Sequence, residues 1–464
     1  MSKFTIIGEL KELNENGNLE QKSSKEIFSG KMAGICYQRD AYFGTSVSDS
    51  ELAEKRFYRV AKTEHHSIAG HVNVTVLCEN ISKMLAMVLN STNHYNTSEK
   101  SGRYTVMTGS SEKERDLYNK WRDIFHYKVL EAEPSYDDNM LKSKFKSIFE
   151  EVEGTNVAPP VIKDGRFVVM HGEYANYFND KLLELKADKE SMPSWKIAQE
   201  NARYLLSIFT RSTTLSYTTD LAQWNYIYDW GIRFIEFNKD RNDYFFRELS
   251  KDIKELCDFI KESLYVEELR EGKDRCFDFL GKLTTDDYLD FKLVEENFNF
   301  DYLIKYNVSF VSLAQLQRHR TLKYYMNFDV NSNYSYFVPD LIADDKELVD
   351  SWLSDLNSVS EFIPQATLVE VVETGTMYNF ILKCKERSCG RAQYETMKNT
   401  VDTINNKFIS ASENGKMSKL AEKYLDKLLI QKSDDYYIKA KCELKNGCKE
   451  PCFFKNLRAL DRKF

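Results

Sequence analysis

The sequence lacks the features that mark membrane and secreted proteins. No stretch of its 464 residues approaches the roughly 18 consecutive apolar residues that a membrane-spanning helix needs. The first residues, MSKFTIIGELKELNENG, contain no apolar core of a signal peptide. The nine cysteines are an odd number in a chain without a secretion signal, so a disulfide framework is not expected. We therefore predict a cytoplasmic protein whose cysteines are mostly reduced thiols.

The chain also lacks a surplus of positive charge. Its formal net charge of −7 and its pI near 5.7 argue against binding to a nucleic acid polymer. The glycine patterns of dinucleotide-binding and P-loop proteins are missing as well. Basic residues can still gather around a small anion. Any phosphate-bearing partner is therefore expected to be small.

What the chain does have is ample material for a core. Hydrophobic residues make up 42% of it and aromatic residues 13%, enough for two or three domains. Alternating and helical patterns predict a strand at residues 4–7, a helix at 51–61, a strand in HVNVTVLC and a helix in NISKMLAMVLN. Residues from about 110 to 195 are charged and irregular, which predicts an insertion.

The second half of the chain repeats the order of elements found in the first. NFDYLIKYNVSFVSLAQLQRHRTLKYY follows the same strand, helix and polar loop order as residues 72–104. Pairing Ser91 with Arg318 gives an offset of 227 residues, and pairing Trp230 with Arg387 gives 157. We therefore predict two tandem units, residues 1–275 and 280–464, the second of which lacks 70 residues that the first has between the two paired segments.

Several motifs together resemble the flavin-dependent thymidylate synthases. The first half carries HHSIAGH at residues 65–71, EKSGRYT at 99–105 and ENARYLL with Arg203. The second half carries a helix ending in QLQRHR at residues 315–320, and ERSCGRAQYE with Arg387 and Gln393. The resemblance implies an α+β fold, with an antiparallel sheet and long helices in each of two copies.

The motif losses in the two halves are complementary. Ser91, Thr92 and Asn93 stand where the first half should have Arg-His-Arg, and Trp230 stands where it should have the late arginine. The second half has MNFDV at 326–330 in place of the Glu-x-Ser-x-Arg loop. In the family each active site lies at a contact between subunits. The resemblance therefore implies one composite site at the seam between the halves and a second, inactive one.

The implied activity is reductive methylation of dUMP to dTMP, with FAD as cofactor and methylenetetrahydrofolate and NADPH as co-substrates. The dUMP site is predicted to comprise Glu99, Ser101, Gly102, Arg103, Arg203, Gln315, Arg318 and Arg387, the catalytic pair being Arg318 and Arg387. The FAD site is predicted to comprise Ser67, Glu99, Asn225, Arg318, His319, Arg320 and Thr321. A homodimer would reproduce the family's four-subunit assembly as a pseudo-tetramer.

Alternatives remain open at this point. Departures from the usual flavin contacts, such as Lys323 in place of a serine, leave room for a related enzyme that makes another modified pyrimidine nucleotide, for example a hydroxymethyl product. The two degenerate halves also allow a non-catalytic nucleotide-binding protein. No metal is expected: Cys442, Cys448 and Cys452 form the best candidate site, but a fourth ligand is not evident and a loop of free thiols fits equally well.

Overall fold

The computed structural model describes residues 2–9, 12–19, 24–37, 45–63, 65–92, 94–102, 105, 109, 111–132, 161–163, 166–168, 192–270, 291–296, 299–330, 333–389, 392–432 and 434–444. The strands are β1 (Lys3–Glu9), β2 (Asn73–Ser82), β3 (Asn96–Glu99), β4 (Val161–Lys163), β5 (Arg166–Val168), β6 (Arg211–Asp220), β7 (Phe291–Glu296), β8 (Asn299–Ser309), β9 (Lys323–Asn327), β10 (Leu368–Thr376), β11 (Leu429–Lys432) and β12 (Asp435–Ile438).

The helices are α1 (Lys25–Tyr37), α2 (Thr45–Ser48), α3 (Ser50–Ala61), α4 (Lys83–Leu89), α5 (Glu112–Ala132), α6 (Pro193–Ala202), α7 (Leu221–Asn238), α8 (Tyr244–Ser263), α9 (Phe310–Leu316), α10 (Lys346–Asn357), α11 (Met377–Arg387), α12 (Tyr394–Thr403), α13 (Ser410–Glu413) and α14 (Lys419–Asp426). Short 3-10 helices span His66–His71, Arg203–Leu205, Glu267–Leu269, Asp340–Ile342, Ser360–Phe362 and Lys441–Glu443, and a π-helix spans Ile404–Ile409. The predicted α+β class is confirmed.

Two four-stranded antiparallel sheets have the same strand order. The first runs β1-β2-β6-β3 and the second runs β7-β8-β10-β9, so that in each sheet the last strand in sequence lies between the second and the third. Their registers also correspond. Val76 lies opposite Tyr217 in the first sheet, and Leu303 lies opposite Thr374 in the second. These pairs are related by 227 and 157 residues, the two offsets obtained from the sequence repeat.

Helix caps recur at equivalent places in the two sheets. Ser82 at the end of β2 accepts a hydrogen bond from a backbone N–H in the first turn of α4, and Ser309 at the end of β8 does the same for α9. Asp220 and Thr376 cap α7 and α11 in the same way. A capping side chain satisfies a backbone donor that the helix leaves unpaired, which fixes where each helix starts. Each sheet therefore directs two helices away from the ends of its central strands.

The two halves meet at a reciprocal backbone contact. Ser207 forms an antiparallel bridge with Pro364, which lies 157 positions later. Ile208 donates its backbone N–H to the oxygen of Ile363 at 3.1 Å, and Gln365 donates to the oxygen of Leu206 at 2.8 Å. An offset of 157 relates Ile208 to Gln365 and Leu206 to Ile363, so the repeat converts each of these two bonds into the other. This is the pattern of an isologous contact, in which equivalent residues face each other across a two-fold axis.

A separate aromatic core joins the predicted insertion to the second half. Trp121 and Phe125 of α5 pack against Trp352 of α10, with the two indole rings 4.8 Å apart. Trp121 also donates its Nε1–H to Asp355 at 2.7 Å. The expectation of an irregular segment is therefore wrong for α5, a regular helix of 21 residues. Trp121, Phe125 and Val129 lie at helical intervals on one apolar face of α5. The many charged residues of the helix make this pattern hard to recognise in the sequence.

Within the part of the chain that the structure describes, no helix is both long enough and apolar enough to cross a membrane.

Candidate active site

A cavity of about 450 Å³ opens at the seam between the two sheets. The first half contributes Lys83, Tyr95, Thr97, Glu99, Lys100, Ser101, Gly102 and Arg203 to its lining. The second half contributes Val311, Ala314, Gln315, Arg318, Arg320, Gln365, Glu386 and Arg387. The volume falls within the range of small-molecule sites. Residues far apart in the sequence thus line one cavity within one chain.

The first half supplies its side chains mainly from β3 and the residues after it. Glu99 ends β3, where it pairs with Leu215 of the central strand β6. Ser101 and Gly102 follow directly in the chain and also reach the cavity. Arg203 arrives from the opposite side, as the first residue of a single-turn helix after α6. The central strand therefore fixes the position of Glu99 and of the loop that follows it.

Glu99 is the carboxylate at the centre of a polar cluster. Its side chain is 2% exposed and forms an ion pair with Lys83 through Oε1. Its Oε2 atom faces Asn90 Nδ2 at 3.3 Å and Arg318 Nη1 at 3.4 Å. The contact between Glu99 and Arg318 joins the two halves of the chain across the cavity.

Arg387, at the C-terminal end of α11, is oriented by two acceptors. Its Nε–H donates to Nε2 of His319 at 2.6 Å, and its Nη2 donates to the backbone oxygen of Gln315 at 3.2 Å. His319 must be neutral to accept at Nε2, which leaves its proton on Nδ1. Burial, together with the positive charges of Arg387 and Lys383, lowers the pKa of His319 to about 2. The imidazole is therefore a fixed acceptor that holds Arg387.

A buried ion pair supports α11 directly behind Arg387. Lys383 lies one turn earlier in the helix, and its ammonium donates to both oxygens of Glu373 at 2.7 Å. Both side chains are 0% exposed. Tyr302 donates to the same carboxylate at 2.6 Å, and Tyr306 donates to its other oxygen. The charge is thus fully compensated by hydrogen-bond partners, as a buried ion pair requires.

Arg203 is held in place by a buried chain of polar groups. Its Nη2 donates to Gln393 Oε1 at 2.7 Å, and Gln393 in turn donates to the hydroxyl of Tyr204. Tyr204 donates to Glu395 at 2.6 Å, and burial raises the pKa of both the phenol and the carboxyl group. Only 7% of Arg203 is exposed. Gln393, which the sequence motif included, therefore orients an arginine of the other half.

Arg320 lies at the edge of the cavity against the first half. Its guanidinium donates to the backbone oxygen of Tyr95 and to Asn96 Oδ1, the latter at 2.6 Å, and it lies 5.3 Å from the centre of the Tyr95 ring. Tyr95 stacks on Tyr217 at 5.3 Å. Arg320 and Tyr95 both line the cavity at this edge.

The charges around the cavity favour an anion. The cationic lining residues are Lys83, Lys100, Arg203, Arg318, Arg320 and Arg387, and the anionic ones are Glu99 and Glu386. Forked guanidinium groups bind the oxygens of a phosphate in pairs, and such charge-assisted bonds are the strongest that a side chain offers. The site can therefore bind a small phosphate-bearing ligand and stabilise negative charge that develops on it.

Residues 19–229 match the family model of the thymidylate synthase complementing proteins, the flavin-dependent thymidylate synthases. Over these residues, a little under half of its length, the chain is similar to this family. It is accordingly an enzyme, as the sequence motifs predicted. The comparison with curated proteins finds no match.

Two solved structures are similar to part of this chain. Both are thymidylate synthase ThyX from Helicobacter pylori with FAD and dUMP, at 12% and 10% sequence identity. Each alignment covers 58% of this chain and 100% of the other, with a TM-score of 0.26. At that score the likeness adds no argument about the site.

Of the predicted dUMP residues, seven line the cavity: Glu99, Ser101, Gly102, Arg203, Gln315, Arg318 and Arg387. Arg103 lies outside the described residues. Among the predicted FAD residues, Glu99, Arg318 and Arg320 line the cavity, and His319 lies directly behind Arg387.

The structure does not bring the other predicted FAD residues to the cavity lining. Ser67 and Thr321 are exposed elsewhere on the surface. Asn225 is buried in α7, where its amide donates to the backbone oxygens of Leu221 and Leu264 and accepts from the N–H of Val266. Those bonds give Asn225 a part in holding the chain after α8.

The side chain of Cys442, and all of Cys448 and Cys452, lie outside the described residues. Within the described ranges, no group of three His, Cys, Asp or Glu side chains is arranged to hold a metal ion.

Several residues that line the cavity, most notably Lys83, are absent from the set predicted from the sequence. This lysine begins α4 inside the otherwise apolar run ISKMLAMVL. A lone lysine in such a run was the available indication, because a helix face buried against a sheet normally excludes charge.

The sequence repeat relates the cavity to a second region, in which the roles of the two halves are reversed. Aromatic rings fill that region. With an offset of 227, Phe310 takes the place of Lys83 and Phe328 the place of Ser101. Phe328 packs against Phe310 at 5.4 Å and against Phe245 at 5.3 Å. A neighbouring cavity includes Val330 and Ser360, and among described residues its lining contains neither lysine nor arginine.

Proposed function

We propose that this cavity binds dUMP and FAD and converts dUMP to dTMP, with methylenetetrahydrofolate as the carbon donor and NADPH as the reductant. The observation that carries the proposal is the complementary set of side chains: Arg203 and the Glu99 loop from one half meet Arg318 and Arg387 from the other. The match of residues 19–229 to the family model supports the activity.

The residues present fit a nucleotide with a terminal phosphate. A phosphate dianion taken out of water needs several charge-assisted donors, and the cavity offers four arginines and two lysines. Gln315 and Gln365 add uncharged amides suited to the polar edge of a pyrimidine.

FAD, when bound, would supply the hydride, and Arg318 and Arg320 are the lining residues suited to its phosphates. The chain's own part is binding and orientation. His319 and the backbone oxygen of Gln315 fix the Arg387 guanidinium, and Gln393 fixes that of Arg203. Donors fixed before the reaction stabilise charge on the pyrimidine oxygens without further reorganisation.

We also propose that the two sheets derive from two fused copies of one ancestral unit, residues 1–275 and 280–464. The shared strand order, the two constant offsets and the reciprocal contact at Ser207 and Pro364 support this. The aromatic filling of the equivalent region supports one dUMP per chain. A homodimer of such chains would be a pseudo-tetramer, which light scattering can test.

A product assay tests the function directly. Purified protein is incubated with FAD, NADPH, methylenetetrahydrofolate and dUMP, and the nucleotide product is identified by mass spectrometry. The mass of dTMP is expected. A hydroxymethyl product would instead establish the related modifying activity, and binding of dUMP without any product would establish a non-catalytic nucleotide-binding protein.

A mixing experiment tests whether one chain holds a whole site. Arg203→Ala removes an arginine that the first half contributes to the cavity, Arg318→Ala removes one that the second half contributes, and both variants are expected to be inactive. Because both side chains line the same cavity of one chain, mixing the two variants should restore no activity. Recovery on mixing would mean that each site joins halves from different chains.

A further inference from the structure

Lys83 is a charged residue at a position where the second half of the chain has an apolar one. It is the first residue of α4, directly after the cap Ser82, and its side chain lines the cavity while remaining 19% exposed. The equivalent residue at the start of α9 is Phe310, which is fully buried and packs against the ring of Phe328. Of these two equivalent positions, the one that lines the cavity with the arginines carries a lysine, and the other carries a phenylalanine.

The partner of Lys83 is a carboxylate that would otherwise oppose an anionic ligand. Glu99 lies in the cavity wall, where its negative charge repels a phosphate and attracts the arginines that should bind one. Two unit charges at contact distance interact strongly when they are shielded from water. Unless Glu99 is neutralised by another cation, it competes with the ligand for Arg318.

The contacts show which cation holds Glu99 more closely. Arg318 Nη1 lies 3.4 Å from Oε2, longer than the 2.7 to 2.9 Å typical of a charge-assisted bond. The Lys83 ammonium makes a close contact with Oε1. Arg318 is 37% exposed and belongs to the other half of the chain, so its guanidinium retains donors for a ligand in the cavity.

We propose that Lys83 is a positioning residue that neutralises Glu99 and so keeps Arg318 available to the phosphate of the nucleotide. The inference rests on the proposed function, since it concerns the affinity for dUMP. Without the lysine, Glu99 would draw the guanidinium into a shorter ion pair. The ligand would then have to break that pair before it could bind.

A double-mutant cycle separates this role from direct contact with the ligand. The unaltered protein, Lys83→Met, Glu99→Gln and the double variant are titrated with dUMP in a calorimeter. Lys83→Met is expected to raise the Kd at least about tenfold, the effect of one charge-assisted hydrogen bond. In the Glu99→Gln background the same change should have little effect, because no carboxylate remains to be neutralised.

Two further variants serve as controls. Lys83→Arg keeps the charge and should retain most of the affinity. Lys3→Met removes an exposed lysine that pairs with Glu79 at 3.2 Å, and it should leave the Kd unchanged. If Lys83→Met alone fails to fold, the double variant, which carries no uncompensated carboxylate, still has to bind dUMP as Glu99→Gln does.

Each outcome decides the question. An equal loss of affinity in both backgrounds would show that Lys83 contacts the ligand directly, and no loss in either would remove its role altogether; both results overturn the inference. If the unaltered protein does not bind dUMP, the proposed function fails first and the inference fails with it.

Discussion

Replacing Arg318 with alanine should separate ligand binding from folding. The side chain is 37% exposed, and its contact with Glu99 is 3.4 Å long, so its loss should cost less than about 1 kcal/mol of stability. A charge-assisted bond from a guanidinium to a phosphate contributes about 1.5 to 3 kcal/mol. Losing one such bond corresponds to a rise in the Kd of about 10- to 150-fold.

The assay for Arg318→Ala combines calorimetric titration with dUMP and thermal unfolding. The expected result is a much weaker Kd and no turnover, with a Tm close to that of the unaltered protein. Arg247→Ala is a matched control, since Arg247 is half-exposed and makes a surface ion pair with Glu248 at 3.2 Å. An unchanged Kd in Arg318→Ala would refute the assignment of the cavity as the phosphate site.

Three further predictions concern stability. Lys383→Met should destabilise the fold by about 3 to 5 kcal/mol, because Glu373 would be left buried without its cation; a Tm close to wild type would contradict this. Phe245→Ala should lower the stability by about 3 to 5 kcal/mol in denaturant titrations, yet leave one dUMP bound per chain. Below about pH 6.5, His319 takes up a proton in the unfolded chain but stays neutral in the folded protein, because its pKa there is lowered to about 2. The free energy of unfolding should therefore fall by about 1.4 kcal/mol for each unit by which the pH drops below about 6.5. The slope of the free energy of unfolding against pH should be shallower by that amount in His319→Gln. Identical slopes in the variant and the unaltered protein would exclude the effect.

Strong local patterns made the strands and helices near the site predictable. The strand at residues 4–7 and the helix at 51–61 are confirmed within β1 and α3. The repeat offsets of 227 and 157 reappear in the strand registers, because residues that alternate between two faces of a sheet leave little freedom to shift register. Complementary motif losses then predicted which residues would come together.

What the sequence could not predict depends on contacts between distant segments. Asn225 looks like a polar ligand residue in a helix, but its partners are backbone groups of Leu264 and Val266 after the next helix. Lys83 stands out in an apolar run, but the sequence does not show that its partner is Glu99. The helix α5 was missed because its charged residues outnumber its apolar ones, and the partner surface of Trp121 lies more than 200 residues away.

The contact between Ser207 and Pro364 has an evolutionary consequence. In a dimer of identical chains, every substitution occurs twice, so a set of arginines that disfavours folding is imposed on both sites. Here the two partners of the contact are encoded separately in one chain. One side can specialise in binding an anion while the other fills its space with Phe310 and Phe328 and contributes stability. Such a chain can accumulate charge on one side of the contact and offset the resulting loss of stability within the same molecule.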